Sequence, residues 1–353
     1  MIHFLLRRSF EYTVGEFLAH AGSPIAERCR VLTFEDAFCT TDFTSGLFVF
    51  TDMERLDYNG RILALQLYER LAAQPDVTML NHPTHTLLRY DLLRRLEERG
   101  INNFKASRID PAELGELTFP VFLRREDNHS GPITPLISSS KELAAQVVRL
   151  RLSGYDLNKV IAIEFLESAD AEGIYSKYGA YIVGDRVLPR HLRFGRDWMV
   201  KGEGQPDSRH LAQEMAYIDE NPHAEIIKTI ADEARVGYGR IDYSMVGGRM
   251  QVWEINTNPH IETARRKKDP NVQGVRIKRE NEFFSAFSDL LMSLDTAPDR
   301  TFSIEAVSST PIPPPRVPLD MVDRSRLQAR FARLPYETQM RSARWLRLLG
   351  GRA

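Results

Sequence analysis

The sequence predicts an α/β protein, and three observations support this fold class. The chain has 353 residues, of which 42% are hydrophobic and 27% charged, the balance of a globular protein with a sizeable core. Short apolar runs of strand length alternate with stretches of helical period along residues 1–295. Two later segments predict β-hairpins, because alternating apolar residues flank Gly184-Asp185 and Gly247-Gly248.

Residues 1–82 predict a small N-terminal α/β domain. Its strands are the apolar runs IHFLL, RVLTF and GLFVF, and the stretch GRILALQLYERLAAQ has the helical period. Pro83 ends a strand, and Thr84 is expected to cap the next helix. The apolar stripe of that helix consists of Leu87, Leu88, Leu92, Leu93 and Leu96.

Residues 83–298 predict a second, larger domain. It begins with that helix and continues with a strand (FPVFLRRE), a polar turn (DNHSG) and a helix that Ser140 could cap. A further strand (KVIAIEFLE) leads into the first hairpin, KYGAYIVGDRVLPRHLRF. Residues 208–236 are expected to be mostly helical, and a last helix is predicted from Val275 to Leu294.

The chain after residue 298 predicts a linker and a basic tail. Residues 307–318 hold five of the nineteen Pro residues, which favours an extended linker over 299–320. The tail, 321–353, is expected to be helical, and from Arg324 onward it has eight Arg and one acidic residue. One hypothesis packs it on the body or on a second copy, giving a homo-oligomer. The other has it bind an acidic partner, although nothing else in the sequence points to nucleic acid.

Composition and missing motifs exclude several classes of protein. Cysteine is limited to Cys29 and Cys39, which indicates a reducing, cytoplasmic location without a disulfide framework. No apolar run is long enough for a membrane span, and the N-terminus lacks the order of a signal peptide. The P-loop, dinucleotide-binding, zinc-protease and hydrolase-elbow motifs are absent.

The second hairpin, RIDYSMVGGRMQVWEINTNP, is the most informative segment. If Gly247, Gly248 and Arg249 form a three-residue loop, Glu254 pairs with Asp242, and the two carboxylates lie about 5 Å apart on one face. Oxygen ligands in this arrangement suit Mg²⁺ bound to phosphate. A two-residue turn would instead separate the carboxylates onto opposite faces, and an ordinary polar hairpin is a further alternative.

The hairpin resembles the metal motif of the ATP-grasp superfamily, an Asp and a strand turn followed by Glu-x-Asn-x-Asn-Pro. Its spacing also resembles that of the glutathione synthetases and the ribosomal-protein glutamate ligases. The resemblance covers about residues 80–290 and implies an ATP-grasp fold that binds ATP and two Mg²⁺. The implied metal ligands are Asp242, Glu254 and Asn256.

Other segments resemble further parts of this superfamily in the same order. In FPVFLRRE, Arg124 or Arg125 would reach the phosphates, where the superfamily usually has Lys. In IAIEFLE, Glu164, Phe165 and Leu166 would form the hinge whose backbone meets adenine. In the first hairpin Lys177 would contact the nucleotide, and Arg190 would lie over the transferring phosphoryl group as a catalytic residue.

The loop after FPVFLRRE departs from the superfamily pattern. It usually carries several Gly residues whose N–H groups cover the phosphates, but here it reads DNHSGP and has only Gly131. His129 and Ser130 could replace the missing donors; the alternative is that both are exposed loop residues.

The resemblance implies an ATP- and Mg-dependent ligase. A small-molecule or peptide carboxylate would be activated as an acylphosphate, and an amine or thiol would then displace phosphate. Two alternatives stay open at this point: a degenerate nucleotide-binding or scaffold protein, and a phosphotransferase that acts on a hydroxyl.

Overall fold

The computed structural model describes most of the first 310 residues of the chain. The described residues are 1–19, 25–129, 131–200, 208–261 and 270–310. The predicted tail and the Pro-rich part of the predicted linker therefore lie outside them, as does Ser130. No helix among the described residues is long and apolar enough to cross a membrane.

The mixed α/β fold class is confirmed by the four sheets and the helices around them. The helices within the described parts of the chain are α1 (Tyr12–Leu18), α2 (Phe34–Ala37), α3 (Tyr58–Ala72), α4 (Arg89–Glu98), α5 (Pro111–Leu114), α6 (Ser140–Leu152), α7 (Ser208–Glu220), α8 (Ala224–Ala234) and α9 (Pro270–Leu294).

The first sheet, called the N-terminal sheet here, is parallel. Its strands are β1 (Ile2–Leu6), β2 (Cys29–Thr33), β4 (Gly46–Phe50) and β5 (Val77–Leu80), in the order β2-β1-β4-β5. All five residues of β1 and of β4 are buried, as expected for strands covered on both faces. The predicted strand RVLTF ends one residue early, because the Thr33 hydroxyl accepts a hydrogen bond from the Asp36 backbone N–H and caps α2.

The third and thirteenth strands form a separate pair beside this sheet. They are β3 (Asp42–Thr44) and β13 (Thr301–Ser303). After α9 the chain therefore returns to the N-terminal part, where Ile304 is buried and Phe302 and Val307 pack on the same core. The prediction that the linker starts at residue 299 is wrong, because its first residues form this strand and bury apolar side chains.

Two antiparallel sheets make up the middle of the chain. The small sheet has the order β6-β8-β7, with β6 (Ala106–Arg108), β7 (Val121–Arg125) and β8 (Val160–Glu164). The hairpin sheet has the order β10-β9-β11-β12, with β9 (Tyr175–Val183), β10 (Arg186–Gly195), β11 (Tyr238–Val246) and β12 (Arg249–Asn256). Both predicted hairpins are confirmed, since β9 pairs with β10 and β11 with β12.

Two predicted helix caps are wrong. The helix expected after Thr84 begins only at Arg89, because the His82 imidazole accepts from the N–H groups of Thr84 and His85 and forms a separate turn. The cap of α6 is Ser139, whose hydroxyl accepts from the Glu142 N–H; Ser140 is the first residue of the helix. Both errors concern the first turn, where neighbouring polar residues compete for the same N–H groups.

One hydrophobic core joins the N-terminal sheet to the hairpin sheet. Phe4 of β1 and Tyr238 of β11 meet at 5.5 Å, and Phe287 of α9 packs on Tyr238 and Tyr181. The opposite face of the hairpin sheet packs on α4, α7 and α8. Helix α1 and the turn after β4 consequently lie beside Thr257 and Asn258, which follow β12, and these contacts position the site described next.

Candidate active site

The predicted pairing of Asp242 with Glu254 is confirmed, but the loop that produces it differs from the prediction. The turn has two residues, Gly247-Gly248, because Val246 pairs with Arg249. The register then shifts between Tyr243 and Asp242, so that β12 carries one extra residue, Trp253. This β-bulge returns Glu254 to the position opposite Asp242.

The bulged residue is itself held in place. The Trp253 indole N–H donates to the Ser244 hydroxyl at 2.9 Å, and its ring stacks on Phe104 with centroids 5.2 Å apart. The expectation that a two-residue turn would separate the carboxylates is therefore wrong, because the bulge compensates for the shorter loop.

Asp242 is a buried, ionised carboxylate. Arg240 donates to it from Nε at 2.8 Å and from Nη2 at 3.3 Å, and Lys177 Nζ lies 3.3 Å from Oδ2. Burial would raise the pKa of Asp242, but the charges of Arg240 and Lys177 outweigh burial and hold this pKa below its ordinary value.

Glu254 is paired with cations from α4 and β7. Its Oε2 accepts hydrogen bonds from Arg89 and, at 3.1 Å, from Arg124 Nη2; His129 Nδ1 is 3.5 Å away. Burial opposes ionisation, but the charges of Arg89 and Arg124 hold the pKa of Glu254 well below its usual range. Burial and the nearby charge of Arg89 lower the pKa of Arg124 to about 10, so Arg124 remains charged at neutral pH.

The three predicted metal ligands fit magnesium by their chemistry. Asp242 and Glu254 face each other, and Asn256 follows two residues later, where its Oδ1 accepts from the Asn258 N–H at 2.9 Å. Each of the three is exposed by less than a tenth. Two carboxylates and an amide carbonyl are hard oxygen donors, and Mg²⁺ commonly takes one or two carboxylates together with phosphate oxygens. Among the described residues, no group of three or more His, Cys, Asp or Glu side chains could hold a metal.

Arg89, the first residue of α4, organises the loop beside Glu254. Its Nη1 donates to the carbonyl oxygens of Arg125, Glu126 and Asn128 at 3.0, 3.1 and 2.6 Å. Its Nη2 donates to Glu254 and to His129 Nδ1. Sequence reasoning missed Arg89, although a charged residue in register with the apolar stripe of α4 was a usable signal.

His129 and Glu54 also belong to the site. The His129 side chain is only 18% exposed, so the alternative that it is an exposed loop residue is wrong. Its Nε2 lies 2.8 Å from Glu54 Oε1, and Glu54 Oε2 accepts from the Thr257 hydroxyl at 3.0 Å. Glu54 comes from the turn Met53–Arg55 after β4, so the N-terminal sheet supplies a carboxylate that the sequence reasoning did not include.

The structure separates the two arginines proposed for the phosphates. Arg124 faces Glu254, whereas Arg125 binds Asp127 through Nε at 2.9 Å and Nη2 at 3.0 Å. Lys177 lies against Asp242, and its contact with nucleotide stays a prediction. Arg190 lies at a bulge of β10, over the Phe283 ring at 4.7 Å and 3.8 Å from Glu280.

The predicted hinge residues lie at the end of β8, beside the small sheet. The Glu164 carboxylate accepts from the N–H groups of Lys105 and Thr118 at 2.9 and 2.7 Å, so it has a structural role there. The Phe165 N–H donates to the Pro120 carbonyl, and the Phe165 ring meets the Trp198 ring edge to face. Leu166 packs with Phe122 and Trp253 on one apolar cluster.

Several solved structures are similar to this chain at low sequence identity. No family model and no curated protein matches the sequence. Among the structures, a D-alanine–D-alanine ligase from Bacillus anthracis, solved with ATP, has a TM-score of 0.49 and 12% identity, over 83% of this chain and 95% of that one.

Two further structures are similar to the same extent. VanG D-Ala:D-Ser ligase from Enterococcus faecalis has a TM-score of 0.48 and 14% identity, over 83% of this chain and 98% of that one. A RimK domain ATP-grasp protein from Sphaerobacter thermophilus has a TM-score of 0.45 and 12% identity, over 83% and 100% of the two chains.

Proposed function

We propose that the chain is an ATP- and magnesium-dependent ligase that activates a carboxylate as an acylphosphate and joins it to an amine or thiol. The observation that carries this proposal is the buried pair Asp242 and Glu254 within a group of four cations, of which Arg89 and Arg124 are also buried. The cations in contact with the pair are Arg89, Arg124, Lys177 and Arg240.

The charges at this site favour a polyphosphate ligand. Four cations and two carboxylates leave an excess of positive charge in a mostly buried place, and an anionic ligand relieves it. Magnesium, when bound, supplies charge that bridges and neutralises phosphate oxygens. Phosphoryl transfer depends mainly on such positioning and charge stabilisation, so a protein nucleophile is not needed.

The protein residues act from two sheets. Arg124 on β7 contacts Glu254, and Lys177 on β9 contacts Asp242, so a polyphosphate chain bound at the carboxylate pair would meet a cation from each sheet. Arg190 remains our proposed contact for the transferring phosphoryl group, and the backbone of 164–166 our proposed contact for adenine. The acid would be a small-molecule or peptide carboxylate.

A nucleotide-binding protein without turnover is the second candidate. The observation in its favour is that Oε2 of Glu254 already accepts hydrogen bonds from both Arg89 and Arg124, which compete with a metal ion. Phosphoryl transfer to a hydroxyl uses the same charges and differs only in the acceptor.

The test is ADP release from Mg-ATP, with and without a protein-free metabolite extract and with hydroxylamine as a trap. We expect release that depends on the extract, together with a hydroxamate, because hydroxylamine captures an acylphosphate. Glu254→Gln should abolish release and keep the fold. The matched control is Glu98→Gln, whose side chain is 49% exposed in a surface pair with Arg94.

Each other outcome has a distinct meaning. ADP release without hydroxamate would support the phosphotransferase. Nucleotide binding without ADP release would support the second candidate. Unchanged release in Glu254→Gln, or no binding of Mg-ATP at all, would contradict the proposed site.

A further inference from the structure

A continuous chain of hydrogen bonds links the N-terminal sheet to Glu254. Glu54 Oε1 lies 2.8 Å from His129 Nε2, and His129 Nδ1 lies 3.0 Å from Arg89 Nη2, which in turn donates to Glu254. The partners come from four places in the sequence, the turn after β4, the loop after β7, the start of α4 and β12. They are mostly buried, with side-chain exposures of 7%, 18%, 3% and 11% for Glu54, His129, Arg89 and Glu254.

The partners of His129 determine which nitrogen carries the hydrogen. A guanidinium can only donate, so His129 Nδ1 accepts from Arg89. His129 Nε2 therefore carries the hydrogen and donates to Glu54, which can only accept when ionised. Glu54 consequently fixes both the tautomer and the orientation of the ring, as carboxylates do for imidazoles in other sites.

Glu54 is itself held rigidly. Its second oxygen accepts from the Thr257 hydroxyl, immediately after the proposed ligand Asn256, and Arg55 Nη1 lies 3.4 Å from the first. Burial would raise the pKa of Glu54, but the hydrogen bond from His129 and the charge of Arg55 lower it to about 2. Because Glu54 is anchored in this way, it can hold His129, and through His129 also Arg89, in a fixed position.

We propose that Glu54 is a positioning residue that acts through His129 and Arg89 to hold residues 125–129 against Glu254. This inference deepens the proposed function and rests on it for the identity of the loop as a phosphate loop. With only Gly131 in the loop, side chains replace the backbone anchoring expected there: Arg89 binds three loop carbonyls, and His129 binds Glu54.

In this proposal the length of the Glu54 side chain, which lets it accept a hydrogen bond from His129, matters more than its charge. Glu54→Gln removes the charge but keeps an oxygen that can accept from His129 Nε2, and its amide can donate to the Thr257 hydroxyl. Glu54→Asp keeps the charge beside Arg55 but is one methylene shorter and loses contact with His129. An electrostatic role predicts the opposite order of effects, so the two variants discriminate.

The experiment is hydrogen–deuterium exchange of the full chain without nucleotide. We expect Glu54→Asp and His129→Ala to speed exchange of the amides in residues 125–129 on the order of tenfold, as loss of a charged hydrogen bond does. Glu54→Gln should stay within about twofold of the unsubstituted protein. The matched control is Glu35→Gln, a buried carboxylate of the N-terminal part that contacts Arg7 and Arg8.

Repeating the Glu54 substitution in a protein that already lacks the His129 side chain tests whether Glu54 acts through His129. In the His129→Ala protein, Glu54→Asp should add no further change, because its partner is already missing. The proposal is overturned if Glu54→Gln exchanges as fast as Glu54→Asp, if Glu54→Asp has its full effect without His129, or if no variant changes the loop. The exchange rates are measured without nucleotide. Failure to bind Mg-ATP would therefore count against the proposed function alone and would not affect the conclusion about Glu54.

Discussion

Arg89 shows how one side chain can build a site from distant parts of the chain. A guanidinium presents its N–H donors in a fixed plane, and Arg89 uses the two Nη groups on three carbonyls, one imidazole and one carboxylate, while its buried Nε has no hydrogen-bond partner among the described residues. Lysine could keep the charge but could not reach all of these acceptors at once. The position therefore requires arginine for geometric reasons.

Arg89→Met is expected to lower the free energy of unfolding by about 3 kcal/mol, because the buried Glu254 loses its main partner. Arg95→Met on the same helix removes a side chain that is 44% exposed and pairs with Glu233 at the surface, and should cost less than about 1 kcal/mol. Urea unfolding measures both. Adding Glu254→Gln to Arg89→Met should recover part of the loss; equal losses for the two arginines would contradict this account.

At the scale of elements, the hairpin of β11 and β12 determines whether the carboxylates meet. Its turn residues Gly247 and Gly248 have φ values of 56° and 78°, the left-handed region that a two-residue hairpin turn requires. The bulge at Trp253 then supplies the residue that the short turn leaves out.

Gly247→Val is expected to destabilise the protein by about 1–2 kcal/mol, and Gly247→Asn by much less, because asparagine tolerates positive φ. A Cβ at Gly247 would meet no described atom within 4 Å, so the cost is conformational and not a clash. Thermal unfolding of the two variants checks this. Equal destabilisation by Val and Asn would argue against a positive-φ requirement at this turn.

The pairing of the two carboxylates could be predicted from the sequence, but the loop length and the β-bulge that produce it could not. A three-residue loop without a bulge and a two-residue loop with a bulge both place Glu254 opposite Asp242 at the same sequence spacing. Periodicity identified the long strands and helices, whereas the three-residue strands β6 and β13 are too short to carry a periodic signal.

The rest of the site depends on contacts that no local pattern encodes. Arg89 meets Glu254 across 165 residues of sequence, and Glu54 meets His129 across 75. Lys177 and Arg124 were found because they lie in segments that resemble a known family. Arg89 and Glu54 lie outside the quoted motifs: the apolar stripe of α4 marked Arg89 as a residue of interest, but only the packed fold shows which groups the two residues contact.

At the scale of the whole molecule, the core of the N-terminal part is completed by the end of the described chain. β13 pairs with β3 through Thr301, Phe302 and Ser303, and Ile304 enters the core formed by α3 and the N-terminal sheet. The N-terminal part therefore contains residues from before the two antiparallel sheets and residues from after α9.

A chain that ends at residue 298 is expected to be less stable than one that ends at residue 310 by about 3 kcal/mol. The difference reflects the burial of Ile304 and Phe302 and the loss of the β3–β13 ladder. Urea unfolding of the two truncated proteins decides the point. If both are equally stable, the return of the chain contributes no stability.

The return of β13 also sets an order of events during synthesis. On the ribosome, the strands of the N-terminal sheet emerge first, but the partner of β3 and the Ile304 side chain are made only after β12 and α9. Since domains otherwise tend to fold in the order of their synthesis, this part of the protein must wait with one edge and part of its core uncovered. The Asp242–Glu254 hairpin is therefore complete before the element that closes the N-terminal part has left the ribosome.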